Sequence, residues 1–506
     1  MNLKKYDDMI IGDTVCAVST PSGSGGIAVV RISGPEAFDI CDKVFVPRRS
    51  VKKDDSIMSA DVAGEDFHMR GYVKREDADM TAGNGIVAGG RIGQYPANTV
   101  VYGSVYHNGK ALDDVLVSVF RAPHSFTGED TIEISCHGSL YIQQQLMQLL
   151  IENGARQARP GEFTQRAFMN GKMDLSQAEA VADLIASTTA GMHRLAMNQM
   201  RGGFSEDLKQ LRIQLLDFTS LIELELDFGD HEELEFADRT QLRELANKIR
   251  CKIRDLADSF AAGNVIKNGI PVAIIGKPNV GKSTLLNALL NEERAIVSEM
   301  PGTTRDTIEE ILYIEGQLFR FIDTAGLRDN TSDRIEALGI QRSFEKAEKA
   351  SIILYLFDLT QGETEEMVSI SHWLQKFNKP ILMIGTKNDI ARRSPIHTSG
   401  NVRAIHISCK EPADIERVKN HIIRLADTNK VFGNEVIVTN VRHYEALLRS
   451  EESIERVMEG LDSRLSGDLL SGDIRECLHY LAEITGGEIA TDEVLGNIFS
   501  KFCIGK

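Results

Sequence analysis

The stretch Gly276-Lys277-Pro278-Asn279-Val280-Gly281-Lys282-Ser283 decides how this chain is read. One apolar segment, Pro271 to Ile275, precedes it, and another, Leu285 to Leu290, follows. The first reads as a buried strand and the second as a helix. A glycine-rich turn between strand and helix, ending in Lys-Ser, is a phosphate-binding loop whose backbone N–H groups and helix N-terminus face phosphate oxygens. Lys282 is placed to reach β- and γ-phosphates and Ser283 to hold Mg²⁺. Asn279, Val280, Gly281, Lys282, Ser283 and Thr284 form the expected cradle.

The remaining parts of a guanine-nucleotide site follow in order. The segment Ser298-Glu299-Met300-Pro301-Gly302-Thr303-Thr304 can cap Mg²⁺ and sense the γ-phosphate, with Thr304 as the expected metal ligand. Phe321 and Ile322 end an apolar strand that runs into Asp323-Thr324-Ala325-Gly326. Asp323 would meet Mg²⁺ through water and the Gly326 amide the γ-phosphate. Ile381 to Ile384 leads into Thr386-Lys387-Asn388-Asp389. The Asp389 carboxylate can accept two N–H donors from the edge of guanine, which adenine does not supply. Ser408-Cys409-Lys410 can brace the base.

Two departures matter. Thr386 stands where the base-reading motif usually opens with Asn, which predicts weaker bracing of the loop. Leu327 follows Gly326, where Ras-type enzymes carry a water-orienting Gln, so the catalytic group must come from elsewhere. Glu336 and Asp333 are the nearest candidates, and a solvated helix charge is the competing reading of either.

At 506 residues the chain is too long for one such domain. Its 42% hydrophobic and 26% charged residues describe an ordinary globular protein. The seven cysteines show no metal spacing, and no segment reads as a membrane span or a signal peptide; a cytoplasmic protein with reduced thiols is expected. The net charge of −17 excludes a generic polyanion binder, so any nucleic-acid contact must be local or assisted by a partner.

Four segments are expected: 1–170, 171–263, 264–432 and 433–506. The first alternates short strands with turns and closes on a helix from Leu140 to Asn153, an α+β pattern. Within it, Val51 to Ala97 reads as a polar surface excursion with few apolar anchors. Leu208, Leu211, Leu215, Phe218 and Ile222, then Leu242, Leu245, Ile249, Ile253, Leu256 and Phe260, recur at three and four residues, as in helical bundles. Asp174 with Gln177 reads as a capping box. Helical spacing returns from Tyr444 to Ile484. The fold class is therefore multidomain: an α+β N-terminal domain, an all-α bundle, and an inserted α/β P-loop GTPase domain of the Ras-like kind. Separate helical domains are the alternative. Asn264 and Asn434 stand near the two crossing points.

Motifs across nearly the whole chain resemble the MnmE (TrmE) family of tRNA modification GTPases. They include Gly25 to Gly34, Ser125 to Asp130, His137-Gly138, Arg159 to Phe168, Leu175 to Ala180, and the terminal Phe502-Cys503-Ile504-Gly505-Lys506. The resemblance implies a homodimer built through folate-binding N-terminal domains. It implies a partner, the FAD-dependent MnmG (GidA), in a heterotetramer that acts on tRNA away from membranes; FAD belongs to the partner alone. It implies addition of an aminomethyl or carboxymethylaminomethyl group to C5 of wobble uridine, with a tetrahydrofolate derivative (5-formyl or 5,10-methylene) as one-carbon donor. Arg31, Glu133, Lys172 and Lys506 match folate ligands, and Cys503 would sit beside them. Asn279, Ser298, Met300 (through its carbonyl) and Thr303 match ligands of a catalytic K⁺, and Glu336 matches the water-orienting acid. An Era-like GTPase that binds RNA or ribosomes without modifying anything is the alternative.

Overall fold

The computed structural model describes residues 12–48, 91–228, 239–291, 310–322, 347–361, 379–391, 403–426 and 436–487, together with 495, 498, 499, 502 and 505. It divides into two compact units, Met1–Asp174 with Ala490–Lys506, and Leu175–Ile489.

The first unit is a seven-stranded sheet in the order β3-β4-β5-β6-β2-β1-β7. Its strands are β1 (Val15–Val18), β2 (Ile27–Ser33), β3 (Phe45–Pro47), β4 (Thr99–His107), β5 (Lys110–Phe120), β6 (Thr131–His137) and β7 (Arg156–Gln157). β1, β2, β4, β5 and β6 lie within a few residues of segments that read as strands in the sequence, whereas β3 and β7 were not expected. Alternation assigns the faces. Val30 and Ile32 of β2, Val115, Val117 and Val119 of β5, and Ile132 and Ile134 of β6 are fully or almost fully buried. They pack in one core with helices α1 (Ala37–Val44) and α2 (Leu140–Glu152). Arg31 and Glu133, at the alternate positions, therefore belong to the other face.

The expected surface excursion is corrected at its end. Ile92 is fully buried in the same core, and its N–H donates to Asp42 Oδ1. Residues 49–90 lie outside the described residues. The described residues of the chain end group with the N-terminal sheet. Phe499, only 1% exposed, packs between Phe168 and Phe502. Gly161 permits this approach, since a Cβ there would stand 2.6 Å from the Phe499 carbonyl.

A buried ion network fixes helix α3 (Glu162–Met169) beneath the sheet edge. The Arg166 side chain is 3% exposed and donates to Asp13 at 2.6 Å, Glu162 at 3.0 Å and Glu129 at 3.1 Å. Arg156 joins Asp13 and Glu162. Burial pushes the Glu162 carboxyl up, but bonds from Arg156 and the Arg159 N–H outweigh it and hold the group below the usual carboxylate range. Arg166→Met strands these carboxylates, and the N-terminal unit should lose about 3–5 kcal/mol. Thermal or denaturant unfolding of that unit measures this; a loss below about 1 kcal/mol would show that the acids simply re-solvate.

In the second unit, helices from both sides of the α/β segment share one core. They are α4 (Leu175–Ala186), α5 (Ala190–Met200), α6 (Gly203–Phe228), α7 (Arg239–Asn268), α10 (Val441–Asp462) and α11 (Gly467–Thr485). Leu211, Leu215 and Phe218 of α6 and Ile249 and Ile253 of α7 meet Leu447, Ile454 and Ile474 in one cluster. Phe260 of α7 stacks on Tyr444 of α10 with centroids 4.5 Å apart. This common core is what an inserted GTPase segment requires. Asp174 directly precedes α4, as a cap would, while the Gln177 amide donates to the Met200 carbonyl. Asn264 accepts from Asn268 one turn on, and Asn434 lies outside the described residues. No described helix is long and apolar enough to cross a membrane. No disulfide forms among the described residues, and burial pushes Cys16 and Cys477 up to about 12 and Cys136 up to about 11, which leaves these thiols inert.

Glu179 of α4 clamps the two halves of the bundle. It accepts from Arg442 Nε and Nη2, both at 3.1 Å, and from His443 Nε2 at 2.6 Å. Arg442 also donates to the Glu483 and Ile484 carbonyls of α11. Burial would raise the Glu179 carboxyl, but His443 and Arg442 outweigh it and bring it down to about 2. Burial holds the His443 ring below its ordinary value. Because the folded carboxyl titrates below its ordinary 4.5, its contribution is complete above that pH and is lost as pH falls toward 2. The stability advantage of wild type over Glu179→Gln should therefore shrink steadily across this window. A constant difference in thermal midpoint would show that the charge contributes nothing.

The α/β segment carries a six-stranded sheet in the order β13-β12-β11-β8-β10-β9. Its strands are β8 (Ile270–Gly276), β9 (Glu310–Ile314), β10 (Gln317–Phe321), β11 (Ile352–Asp358), β12 (Ile381–Thr386) and β13 (Arg403–His406). All pairings are parallel except β9 with β10. Every residue of β11 is buried, as befits a central parallel strand covered on both faces. Helices α8 (Lys282–Asn291) and α9 (Pro412–Ala426) pack against it.

Candidate functional site

Strand register builds the site. Gly276 pairs with Leu356, Asp358 with Thr386, and Gly385 with His406. The carboxyl ends of β8, β11, β12 and β13 are thus level, and the loops leaving them converge, as ligand sites of open α/β sheets do.

The phosphate loop runs from Gly276 into α8. Gly276 has φ +155°, and a Cβ there would stand 2.4 Å from the Leu356 carbonyl, so only glycine fits. Asn279 is exposed in the left-handed region, with φ 63°. Lys282 Nζ donates to the Gly276 and Lys277 carbonyls at 2.6 and 2.7 Å, which keeps its ammonium over the loop. Ser283 and Thr284 lie in the first turn of α8, where the N-terminal N–H groups and the helix dipole favour an anion. The cradle accordingly fits a polyphosphate.

The base loop is tied to this cradle. Thr386 is buried, and its Oγ1 donates to the Val280 carbonyl at 2.6 Å and lies 3.1 Å from that of Phe357. Thr386 thus ties the base loop to the phosphate loop, but through one hydroxyl hydrogen where Asn would offer two N–H donors. The smaller residue is seated at a strand end close enough for its hydroxyl to reach the phosphate loop. Lys387, at φ 61°, donates to Asp358 Oδ2 at 2.6 Å. The Asn388 N–H reaches the Ile407 carbonyl. Asp389 is exposed and receives Lys410 Nζ at 3.0 Å, and this bond is the main reason its carboxyl lies below the ordinary value. Ser408 is buried and its N–H donates to Asp414 at the start of α9. Cys409 is half-buried, and burial raises its thiol.

Ser298, Glu299, Met300, Pro301, Gly302, Thr303, Thr304, Asp323, Thr324, Ala325, Gly326, Leu327, Asp333 and Glu336 lie outside the described residues, as do Cys503 and Lys506. The structure thus brings together the phosphate cradle and the base loop among the predicted site residues. Asp358, which the sequence reading passed over, sits between them. Its signal was faint: a lone Asp closing an otherwise apolar strand.

In the first unit, Arg31 and Glu133 are cross-strand partners, joined at 2.9 Å through Nε and 2.8 Å through Nη2. The Arg31 guanidinium lies over Phe126 and Phe163, 5.2 and 5.3 Å from the ring centroids. These aromatics were also missed as site residues. Lys172 Nζ donates to the Pro123 carbonyl, so both cations border the segment from Pro123 to Gly128. The chain end reaches β1, where the Ser19 hydroxyl donates to the Gly505 carbonyl at 3.0 Å. A Cβ on Gly505 would stand 2.1 Å from the Val18 carbonyl.

A sheet whose level strand ends couple a phosphate cradle to a guanine-reading loop is that of a P-loop GTPase. The family description "MnmE helical domain" matches residues 175–503, and "GTP-binding protein TrmE N-terminus" matches residues 14–172. A tRNA modification GTPase MnmE from Parabacteroides distasonis is 52% identical over 499 residues, covering 97% of this chain and 100% of its own. One from Flavobacterium johnsoniae is 49% identical over 508 residues, covering 98% and 100%. A solved structure of Aquifex aeolicus Era bound to GDP.AlF4- is 25% identical, covers 36% of this chain and 66% of that one, and superposes with a TM-score of 0.24. The chain belongs to the MnmE family of tRNA modification GTPases.

Thr386→Val keeps the shape but removes the donor to the Val280 carbonyl. Leaving that acceptor unpaired should cost about 1–3 kcal/mol, seen as weaker GTP and GDP binding. Unchanged nucleotide affinity would mean that the hydroxyl is not what couples the two loops.

Proposed function

We propose that this chain is the GTP-hydrolysing subunit of an assembly that places an aminomethyl or carboxymethylaminomethyl group on C5 of wobble uridine in tRNA. The observation that carries the GTPase part is the Thr386 hydroxyl on the Val280 carbonyl, which makes the phosphate loop and the base loop one rigid site. Family membership supports the tRNA part.

Lys282 exchanges the Gly276 and Lys277 carbonyls for the β- and γ-phosphate oxygens, and the first turn of α8 supplies N–H donors. Asp389 accepts the two N–H groups of guanine, with Lys410 keeping its carboxylate ionised. Ser283, Thr304 and Asp323 would hold Mg²⁺, and Asn279, Ser298, Thr303 and the Met300 carbonyl would hold K⁺; when bound, the two ions offset charge on the phosphates. The exposed, left-handed Asn279 suits a residue that offers its side-chain oxygen to such an ion. Glu336 orients the attacking water, a task Leu327 cannot perform.

Arg31 and Glu133, side by side, present donors next to acceptors, which suits the mixed edge of a pterin. Lys172 and Lys506 suit the glutamate tail of tetrahydrofolate. A tetrahydrofolate derivative held there supplies the one-carbon unit. The working form is a cytoplasmic homodimer joined by FAD-bearing MnmG as a heterotetramer. In cells lacking this chain, nucleoside analysis of tRNA should show loss of the C5-modified wobble uridine. Unchanged nucleosides would leave only an RNA-binding switch. GTP hydrolysis should rise strongly in K⁺ and little in Na⁺, and Glu336→Ala should abolish most turnover while keeping GTP affinity; equal rates in the two ions, or a fully active variant, would remove the corresponding group from the mechanism.

A further inference from the structure

Asp358 closes β11 opposite Thr386 in the parallel register. Its side chain is 5% exposed. The two carboxylate oxygens have separate tasks. Oδ1 accepts from the Thr360 N–H at 2.9 Å and the Thr360 hydroxyl at 2.7 Å, shaping the turn Leu359–Gln361. Oδ2 accepts from Lys387 Nζ at 2.6 Å. Burial pushes this carboxyl up, and the bonds from Lys387 and Thr360 outweigh it, so it is ionised.

The pair matters because of its neighbours. Thr386 has one hydroxyl hydrogen, for which the Val280 and Phe357 carbonyls compete. The Asn usual at that place would offer two N–H donors. The base loop therefore has one side-chain tie fewer at Thr386. Lys387, next in the chain, is held in the left-handed region, which L side chains rarely adopt. A second tie at that residue, from the adjacent strand end, supplies what Thr386 lacks.

We propose that Asp358 is a positioning residue for guanine recognition: by fixing Lys387 it sets the stem of that lysine and the direction of Asp389 two residues on. The inference rests on the guanine-nucleotide reading given above. Asp358 itself does not touch the nucleotide; it acts through Lys387.

Asp358→Asn separates the two tasks. The amide oxygen still serves the Thr360 turn, and the amide nitrogen cannot accept from Lys387. Release of N-methylanthraniloyl-GDP from the full chain should accelerate about tenfold or more, and KM for GTP should rise with far less change in kcat. Lys387→Met removes the same pair from its other end and should also speed release. In the Lys387→Met background, Asp358→Asn should add almost nothing. Thr360→Ala, which disturbs only the turn, should leave release within about twofold of wild type. The proposal is overturned by unchanged release in Asp358→Asn, by an equal effect of that substitution with and without Lys387, or by Thr360→Ala reproducing it. Wild-type chain that retains no labelled GDP sinks the guanine-nucleotide reading and this inference together, whereas tight wild type with an unchanged Asp358→Asn variant sinks the inference alone.

Discussion

The parallel register of β8, β11, β12 and β13 is the constraint on which the nucleotide site depends. Side chains alternate along a strand, so a slip of one residue would turn Asp358 and Thr386 away from the loops they serve. The register is held by apolar side chains on both faces, since β11 and β12 have no exposed residue. The polar work is confined to the strand ends, where Thr386 and Asp358 are buried yet fully bonded. The apolar sheet thus resists deformation, while the polar groups that meet ligands lie at its ends.

The bundle poses a different problem, because its helices come from chain segments far apart. Leu215 and Ile253 precede the α/β segment and Leu447 and Ile474 follow it, yet all lie in one core. The inserted domain therefore enters and leaves a scaffold that cannot be completed without both flanks. Glu179 strengthens that closure, as its partners Arg442 and His443 lie 263 and 264 residues later. Such an ion cluster adds specificity more than net stability, because desolvation offsets much of the attraction. Its geometry admits one arrangement of α4 against α10 and α11.

What could be read from the sequence divides along the range of the interactions. The loop from Gly276 to Ser283 was legible because its chemistry is local: a backbone turn, a helix start and two side chains at fixed spacing. The helices were legible because Leu208, Leu211, Leu215 and Phe218 repeat with the helical period, and the N-terminal strands because one buried face makes them alternate. The pairing of Arg31 with Glu133 was not, since 102 residues separate them and only the sheet order brings them together. The seat of Gly505 on β1 spans 486 residues and has no local signature. Asp358 escaped for a further reason: a carboxylate closing an apolar strand looks like a solvated end until its partner, 29 residues away, is known.

Both candidate sites hold a cation beside a carboxylate before any ligand is considered. Lys387 is fixed by Asp358 and Arg31 by Glu133. In water such pairs contribute little, but here the Asp358 carboxylate is buried in one case and the Arg31 guanidinium lies over the Phe126 and Phe163 rings in the other. Ordering a long cationic side chain costs up to about 2 kcal/mol of rotamer freedom, and here that cost is met during folding and not on ligand binding. A ligand then meets donors already aimed. At Arg31 the carboxylate also limits what can bind, because an anion must share the cation with Glu133, whereas a heterocycle edge carrying both donors and acceptors satisfies the two together.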